Sequence, residues 1–228
     1  MSEFQFLGME ISLPLPGVRL AGELDEPSTG SGIVVFAHGS GSSRRSPRNQ
    51  AVSKHFREAG LGTLLFDLLT EEEERADARS AELRFNIQLL AARLVGATQW
   101  LQSAPGRHQT PVGYFGASTG AAAALVAAAQ LRSEIRAVVS RGGRPDLAGD
   151  ALERVTAPTL LIVGSEDKPV IPLNEKAYDR LRCPKAIRLV PGATHLFQEP
   201  GALEAVADTA ADWFRKHLQS VVKVGPLL

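Results

Sequence analysis

The chain has 228 residues, 44% of them apolar, with 25 basic side chains set against 25 acidic ones. That length and apolar share suit one well-buried core, and a formal net charge of zero supplies no basic field for phosphate backbones or anionic lipid. Neither nucleic acid nor a membrane is therefore expected as a partner, and the single cysteine, Cys183, beside Pro184, reads as a packed or partly exposed structural thiol that cannot close an internal disulfide.

No apolar run approaches the length of a membrane span, and Met1-Ser2-Glu3-Phe4 lacks the basic-then-apolar order of a secretion signal, so a cytoplasmic protein is expected. Residues 4–11 and 18–24 are short apolar runs separated by Pro14, Pro16 and Gly17, which predicts an edge hairpin. After a loop over 26–32, residues 33–37 form a continuous apolar run of the kind buried on both faces of a sheet. The run ends in His38-Gly39-Ser40-Gly41-Ser42-Ser43, a stretch too polar and glycine-rich for anything but a loop.

Helical spacing follows from Pro47 to Ala59, stopped by Gly60, and then a buried strand over 63–66 closed by Asp67. Residues 68–80, which carry Glu71 to Glu74, read as a solvated loop or helix start. A long helix comes next, its apolar side built from Leu83, Ile87, Leu90, Leu94 and Leu101.

The stretch Tyr114-Phe115-Gly116-Ala117-Ser118-Thr119-Gly120 organises the rest. An apolar run over 112–115 meets a serine flanked two positions away on each side by glycine, and an alanine-rich helical run to Leu131 follows. That pattern describes a strand, a sharp turn and a helix with a hydroxyl at the apex, and such a turn favours residues without a Cβ at its flanks. Further strands are predicted over 137–139, 159–163 and 186–190, a helix over 173–181, and a last helix ending near Leu218. Strands alternating with helices give a largely parallel sheet covered on both faces, as one domain over residues 1–228, with ligands expected beyond the carboxyl ends of the strands.

A serine hydroxyl needs a base to take its proton and a carboxylate to orient that base. Two histidines follow Ser118. His217 lies in the last helix beside Arg215 and Lys216, as a surface residue would, whereas His195 sits in the loop directly after the last strand and is the expected base. Asp167 is the preferred acid, with Glu166 as the fallback, and Asp146 and Asp150 follow the preceding strand. The oxyanion donors are expected to be the backbone N–H groups of Thr119, at the start of the Ser118 helix, and of Ser40. Arg44 and Arg141, on loops at the same end, are candidates to bind a substrate carboxylate or carbonyl, against the alternative of structural ion pairs.

On His38-Gly39-Ser40-Gly41 and the Gly116 to Gly120 segment, the chain resembles the α/β-hydrolase superfamily over essentially its full length, and within it the dienelactone hydrolase family. The resemblance implies an eight-stranded sheet with the first strands antiparallel and helices on both faces, and the roles given to Ser118, Asp167 and His195. The founding enzymes of that family carry cysteine as the nucleophile, where this chain has Ser118, which favours general carboxylester hydrolysis over dienelactone itself. Only 141–158 separates the sixth and seventh strands, too short for a cap domain, so an open site is expected. The expected activity is a hydrolysis of small-molecule esters or lactones that needs no cofactor and no metal. Attack on phosphotriesters by the same three residues, and a non-catalytic ligand-binding role, are the alternatives.

Overall fold

The computed structural model describes residues 8–28 and 31–219. Strands β1 (Met9–Leu15) and β2 (Val18–Asp25) form a hairpin that joins β3 (Ile33–Ala37), β4 (Gly62–Phe66), β5 (Val112–Ala117), β6 (Ile135–Arg141), β7 (Thr159–Gly164) and β8 (Lys185–Val190) in one sheet of order β1-β2-β4-β3-β5-β6-β7-β8. β2 pairs antiparallel with β1 and β4, and the remaining pairs are parallel, so β2 alone runs against its neighbours. This is the mostly parallel eight-stranded sheet expected from the sequence.

Strand order turns back at β3. The chain leaves β3 toward β4 on one side and returns to β5 on the other, so the loops after β3 and β5 part over a common crevice, the place where such sheets hold ligands. The candidate site described below sits on that rim.

The two faces of the sheet are filled differently. Helices α1 (Pro47–Glu58) and α6 (Ala202–His217) cover one face, where Phe36, Phe56, Phe115 and Phe214 pack with ring centroids 5.1 to 5.7 Å apart in tilted and edge-on pairs. Pairs of this kind add about 0.5–1.5 kcal/mol each beyond the area they bury. The other face carries α3 (Ile87–Ser103), α4 (Thr119–Leu131) and α5 (Ile171–Arg180), with an irregular helical stretch, Pro145–Arg154, between β6 and β7. Every residue of α4 except Gln130 is buried, which its small side chains permit by letting the helix lie close on the sheet. A Cβ added to Gly116 would lie 2.5 Å from the Ala121 Cα, and one added to Gly120 would overlap the Ala37 carbonyl.

Three local expectations shift. The first strand runs to Leu15 and includes Pro14, opposite Arg19, so the turn shrinks to Pro16 and Gly17, the latter at φ +72°. An edge strand tolerates a proline because one side of it has no partner to receive an N–H. Residues 4–7 of the expected strand lie outside the described residues. The acidic run after β4 is a full helix, α2 (Glu71–Ser80), because Thr70 and Glu73 form a reciprocal capping box and four glutamates sit in the first turn against the helix dipole. Leu83 consequently precedes α3 instead of belonging to it, and packs from outside.

Candidate active site

Ser118 stands between the last residue of β5 and the first of α4 at φ 49° and ψ −121°, a conformation an L residue adopts only under constraint, at a cost of about 1–3 kcal/mol. Three backbone bonds hold it there: Ser118 N–H to the Arg141 carbonyl (3.3 Å), and the N–H groups of Ala121 (3.1 Å) and Arg144 (3.0 Å) to the Ser118 carbonyl. Gly39 lies against it, close enough that an added Cβ would sit 3.0 Å from the Ser118 Cβ. The Ser118 side chain is partly exposed, and its Oγ makes no hydrogen bond among the described residues.

Asp167 and His195 meet across the ends of β7 and β8. Gly164 brings the two following loops into contact, since a Cβ there would overlap the Ala193 carbonyl, and the Glu166 N–H donates to that carbonyl at 2.9 Å. The buried Asp167 then accepts from His195 Nδ1 through Oδ2 at 2.6 Å, while the His195 ring stays 38% exposed. Such a bond orients the imidazole and leaves Nε2 as the free ring nitrogen. Between this pair and Ser118 lies the end of β6: a Cβ on Gly142 would be 3.0 Å from the His195 carbonyl, and the preceding residue, Arg141, accepts the Ser118 N–H.

Of the alternatives weighed in the sequence, Glu166 is exposed and paired with Lys168 at 3.5 Å, and Asp146 is held by Arg144. His217 packs on the Trp213 ring of α6, centroids 4.8 Å apart. Cys183 is a buried thiol 3.6 Å from Thr159 Oγ1, and its burial pushes its pKa up.

The oxyanion candidates are adjacent. Ser40 N–H donates to Thr119 Oγ1 at 3.0 Å, which ties the loop after β3 directly to the first residue of α4. The same loop is stitched to the loop after β4 by His38, a residue the sequence reading left without a role. Its Nδ1 donates to the Gly39 carbonyl (3.1 Å), so Nε2 is the unprotonated nitrogen and accepts the Leu68 N–H (3.0 Å). Burial lowers the His38 pKa, outweighing the opposing pull of the Gly39 carbonyl and Asp67, and keeps the ring in that neutral form.

The two arginines singled out in the sequence have opposite surroundings. Arg44 is spent: its guanidinium is paired with Asp67 and lies 3.6 Å from Glu23, and its N–H donates to Asp67 at 2.9 Å, so it is not free to take a substrate carboxylate. The acidic partners arrive from β2 and the end of β4, which sequence order could not bring beside it. Arg141 is buried with its Nε and Nη1 unpartnered. A cavity of about 630 Å³ opens from Gly39 and Ser40 between the loop over 38–48 and α2, with Arg48, Leu68 and Glu74 in its walls.

Residues 20–223 match the dienelactone hydrolase family. Two curated proteins of Mycobacterium tuberculosis, from strains CDC 1551 and H37Rv and provisionally named phosphoribosyl transferases, are each 57% identical to the chain over 209 residues, which is 92% of this chain and 46% of theirs. The chain thus spans about half the length of these curated relatives. Among solved structures, a dienelactone hydrolase from Anabaena variabilis superposes with a TM-score of 0.90 at 56% identity, over 92% of this chain and 98% of that one. Est1E from Butyrivibrio proteoclasticus has a TM-score of 0.75 at 16% identity, over 91% of this chain and 98% of its own, a likeness of fold alone. The α/β-hydrolase architecture, a serine on a strained turn and a match over most of the sequence agree, and the chain belongs to the dienelactone hydrolase family.

Proposed function

We propose that this member of a hydrolase family is a serine hydrolase of small carboxylic esters or lactones that works through an acyl-enzyme. The observation that carries the reading is the 2.6 Å bond from His195 to the buried Asp167, on the flank of a serine whose backbone is held at φ 49° with its hydroxyl free. His195 Nε2 takes the proton of Ser118 Oγ as that oxygen attacks the substrate carbonyl carbon. The oxyanion that forms is received by the Thr119 N–H at the amino end of α4, where the helix dipole also favours negative charge, and by the Ser40 N–H, which exchanges its bond to Thr119 Oγ1 for the substrate oxygen. Collapse expels the alcohol, which leaves with the proton from His195. Water then repeats the sequence on the acyl-enzyme, releasing the carboxylic acid and restoring Ser118. Asp167 stays ionised throughout and stabilises the imidazolium. Free enzymes commonly show a longer nucleophile-to-base approach than their substrate complexes, which agrees with an unbonded Ser118 Oγ.

Nitrophenyl esters and lactones of graded size, assayed with the wild type and Ser118→Ala, test this reading, with fluorophosphonate labelling of Ser118 alongside. Ester turnover that survives the substitution nearly intact would end it. A folded protein that neither turns over esters nor takes the label is a binding module. A phosphotriester that releases leaving group once per chain and then stalls is an inhibitor of this site, and sustained release makes it a substrate. The name of the curated relatives belongs to proteins about twice this length, and hydrolysis is assigned here to the half that this chain matches.

A further inference from the structure

Arg141, at the end of β6, is 8% exposed, and its Nε and Nη1 are buried with no hydrogen-bond partner. No carboxylate pairs with it among the described residues. Taking a guanidinium out of water without a counter-charge is unfavourable, and folded proteins retain such a group where a ligand compensates it. Alternate residues of a strand share a face, and Ala137 and Val139 pack in the core on the face that α1 and α6 cover, so Arg141 continues that row on the same face.

Arg48, in the first turn of α1, is half-buried. Its Nε is buried and unpartnered, and it lines the cavity. Burial, and after it the charge of Arg48, lower the Arg141 pKa to about 10, which leaves Arg141 cationic at neutral pH. The other arginines of this run are engaged, Arg44 with Asp67 and Glu23, and Arg45 with Glu10. The amino end of α1 adds the same sign of field: its first turn holds no acidic residue, and Ser46 makes no side-chain cap. On the α2 side of the cavity, Asp77 is neutralised by Arg84, and burial with the nearby Asp67 and Glu71 pushes the Glu74 pKa up, toward its uncharged form.

Two cations without acidic partners among the described residues call for a dianion. A phosphomonoester carries about −1.5 to −2 charges at neutral pH and offers three acceptor oxygens, whereas a carboxylate would leave one guanidinium uncompensated. The backbone of Arg141 is next to that of Ser118, whose N–H donates to the Arg141 carbonyl at 3.3 Å. We propose that Arg141 and Arg48, at the amino end of α1, form a phosphate subsite beside Ser118, so that the ester or lactone this enzyme opens carries a phosphomonoester group. The substrate assignment rests on the hydrolase reading above. The subsite itself does not.

Orthophosphate is titrated into the full chain by calorimetry and by thermal unfolding, in the wild type, Ser118→Ala, Arg141→Gln, Arg48→Gln and the remote Arg136→Gln, whose side chain is exposed at the opposite end of β6. Saturable binding that raises Tm is expected in the wild type, in Ser118→Ala and in Arg136→Gln. At least a tenfold loss of affinity is expected in Arg141→Gln, and a smaller loss in Arg48→Gln. If Arg141→Gln does not fold, Arg48→Gln carries the comparison, and binding unchanged in that variant overturns the proposal. So does wild-type Tm indifferent to orthophosphate, or succinate bound as tightly as orthophosphate. Phosphate bound by a protein that hydrolyses no ester keeps the subsite and removes the hydrolase reading; ester turnover without phosphate binding does the reverse.

Discussion

The rim of the sheet is built in two ways. From β5 to β8, Ser118, Asp167 and His195 are positioned by backbone: a strained turn held by three main-chain bonds, and loops brought into contact where Gly142 and Gly164 leave no room for a side chain. From β3 to α2, the structure is ionic, with Arg44, Asp67, Asp77 and Arg84 engaged, Glu23 reaching in from β2, and Arg48 left over; Arg141, at the end of β6, likewise meets no carboxylate among the described residues. Backbone constraint locates atoms to within tenths of an ångström, which bond-making needs. Charge is long-ranged and tolerant of position, which suits holding a ligand. The first region is accordingly expected to control rate, and the second to control which molecule arrives.

Substitution in the first region should have the largest effect. Ser118→Ala is expected to lower kcat on nitrophenyl esters by several powers of ten, toward the million-fold (~10⁶) loss known for a serine nucleophile elsewhere, with a circular dichroism spectrum like the wild type. Asp167→Asn keeps the volume but spoils the orientation of His195, and a loss of about 10⁴ in kcat is expected, with KM for the same ester little changed. An equal loss from Glu166→Gln would move the acid to the neighbouring position.

Smaller effects probe the junction of the two regions. Gly120→Ala sets a methyl against the Ala37 carbonyl and should destabilise the fold by about 3 kcal/mol, the upper end of overpacking costs because backbone cannot step aside. Chemical denaturation measures it, and a neutral result would mean that α4 rides higher on the sheet.

The smallest expected effect is a pH dependence. The folded pKa of His38 lies below its unfolded value of 6.5, so the fold prefers the neutral ring. Its contribution to stability is complete above about pH 6.5 and is lost as the pH falls through the lower folded value, where Nε2 is protonated and can no longer accept the Leu68 N–H. His217 is shifted in the same direction by burial and by Lys216. Tm measured from pH 7.5 to 5 should therefore fall, and His38→Gln should flatten part of that slope. A Tm profile with the same slope in both proteins would show that the loop is held by other bonds.

Much of this layout was legible in the chain. Apolar runs of three to five residues between helical spacings predicted β3 to β7 to within a few residues, because strands buried on both faces have no polar alternation to confuse the pattern. Ser118, Asp167 and His195 were picked out by their position after strands, and the last two do meet, at 2.6 Å. What the chain left open was local competition: the four glutamates of α2 read as either solvated loop or helix start, and the capping box of Thr70 and Glu73 decides for the helix.

Residue order by itself determined the alternation of strands and helices, the sharp turn at Ser118 and the placing of polar clusters at strand ends, since those depend on neighbours within a few positions. Only the tertiary structure decided that Asp167 meets His195, that Arg44 is spent on Asp67 and Glu23, and that Arg48 and Arg141 meet no acid among the described residues. Their environments are set by groups 20 or more residues away, and a charge acquires its role from what surrounds it in space.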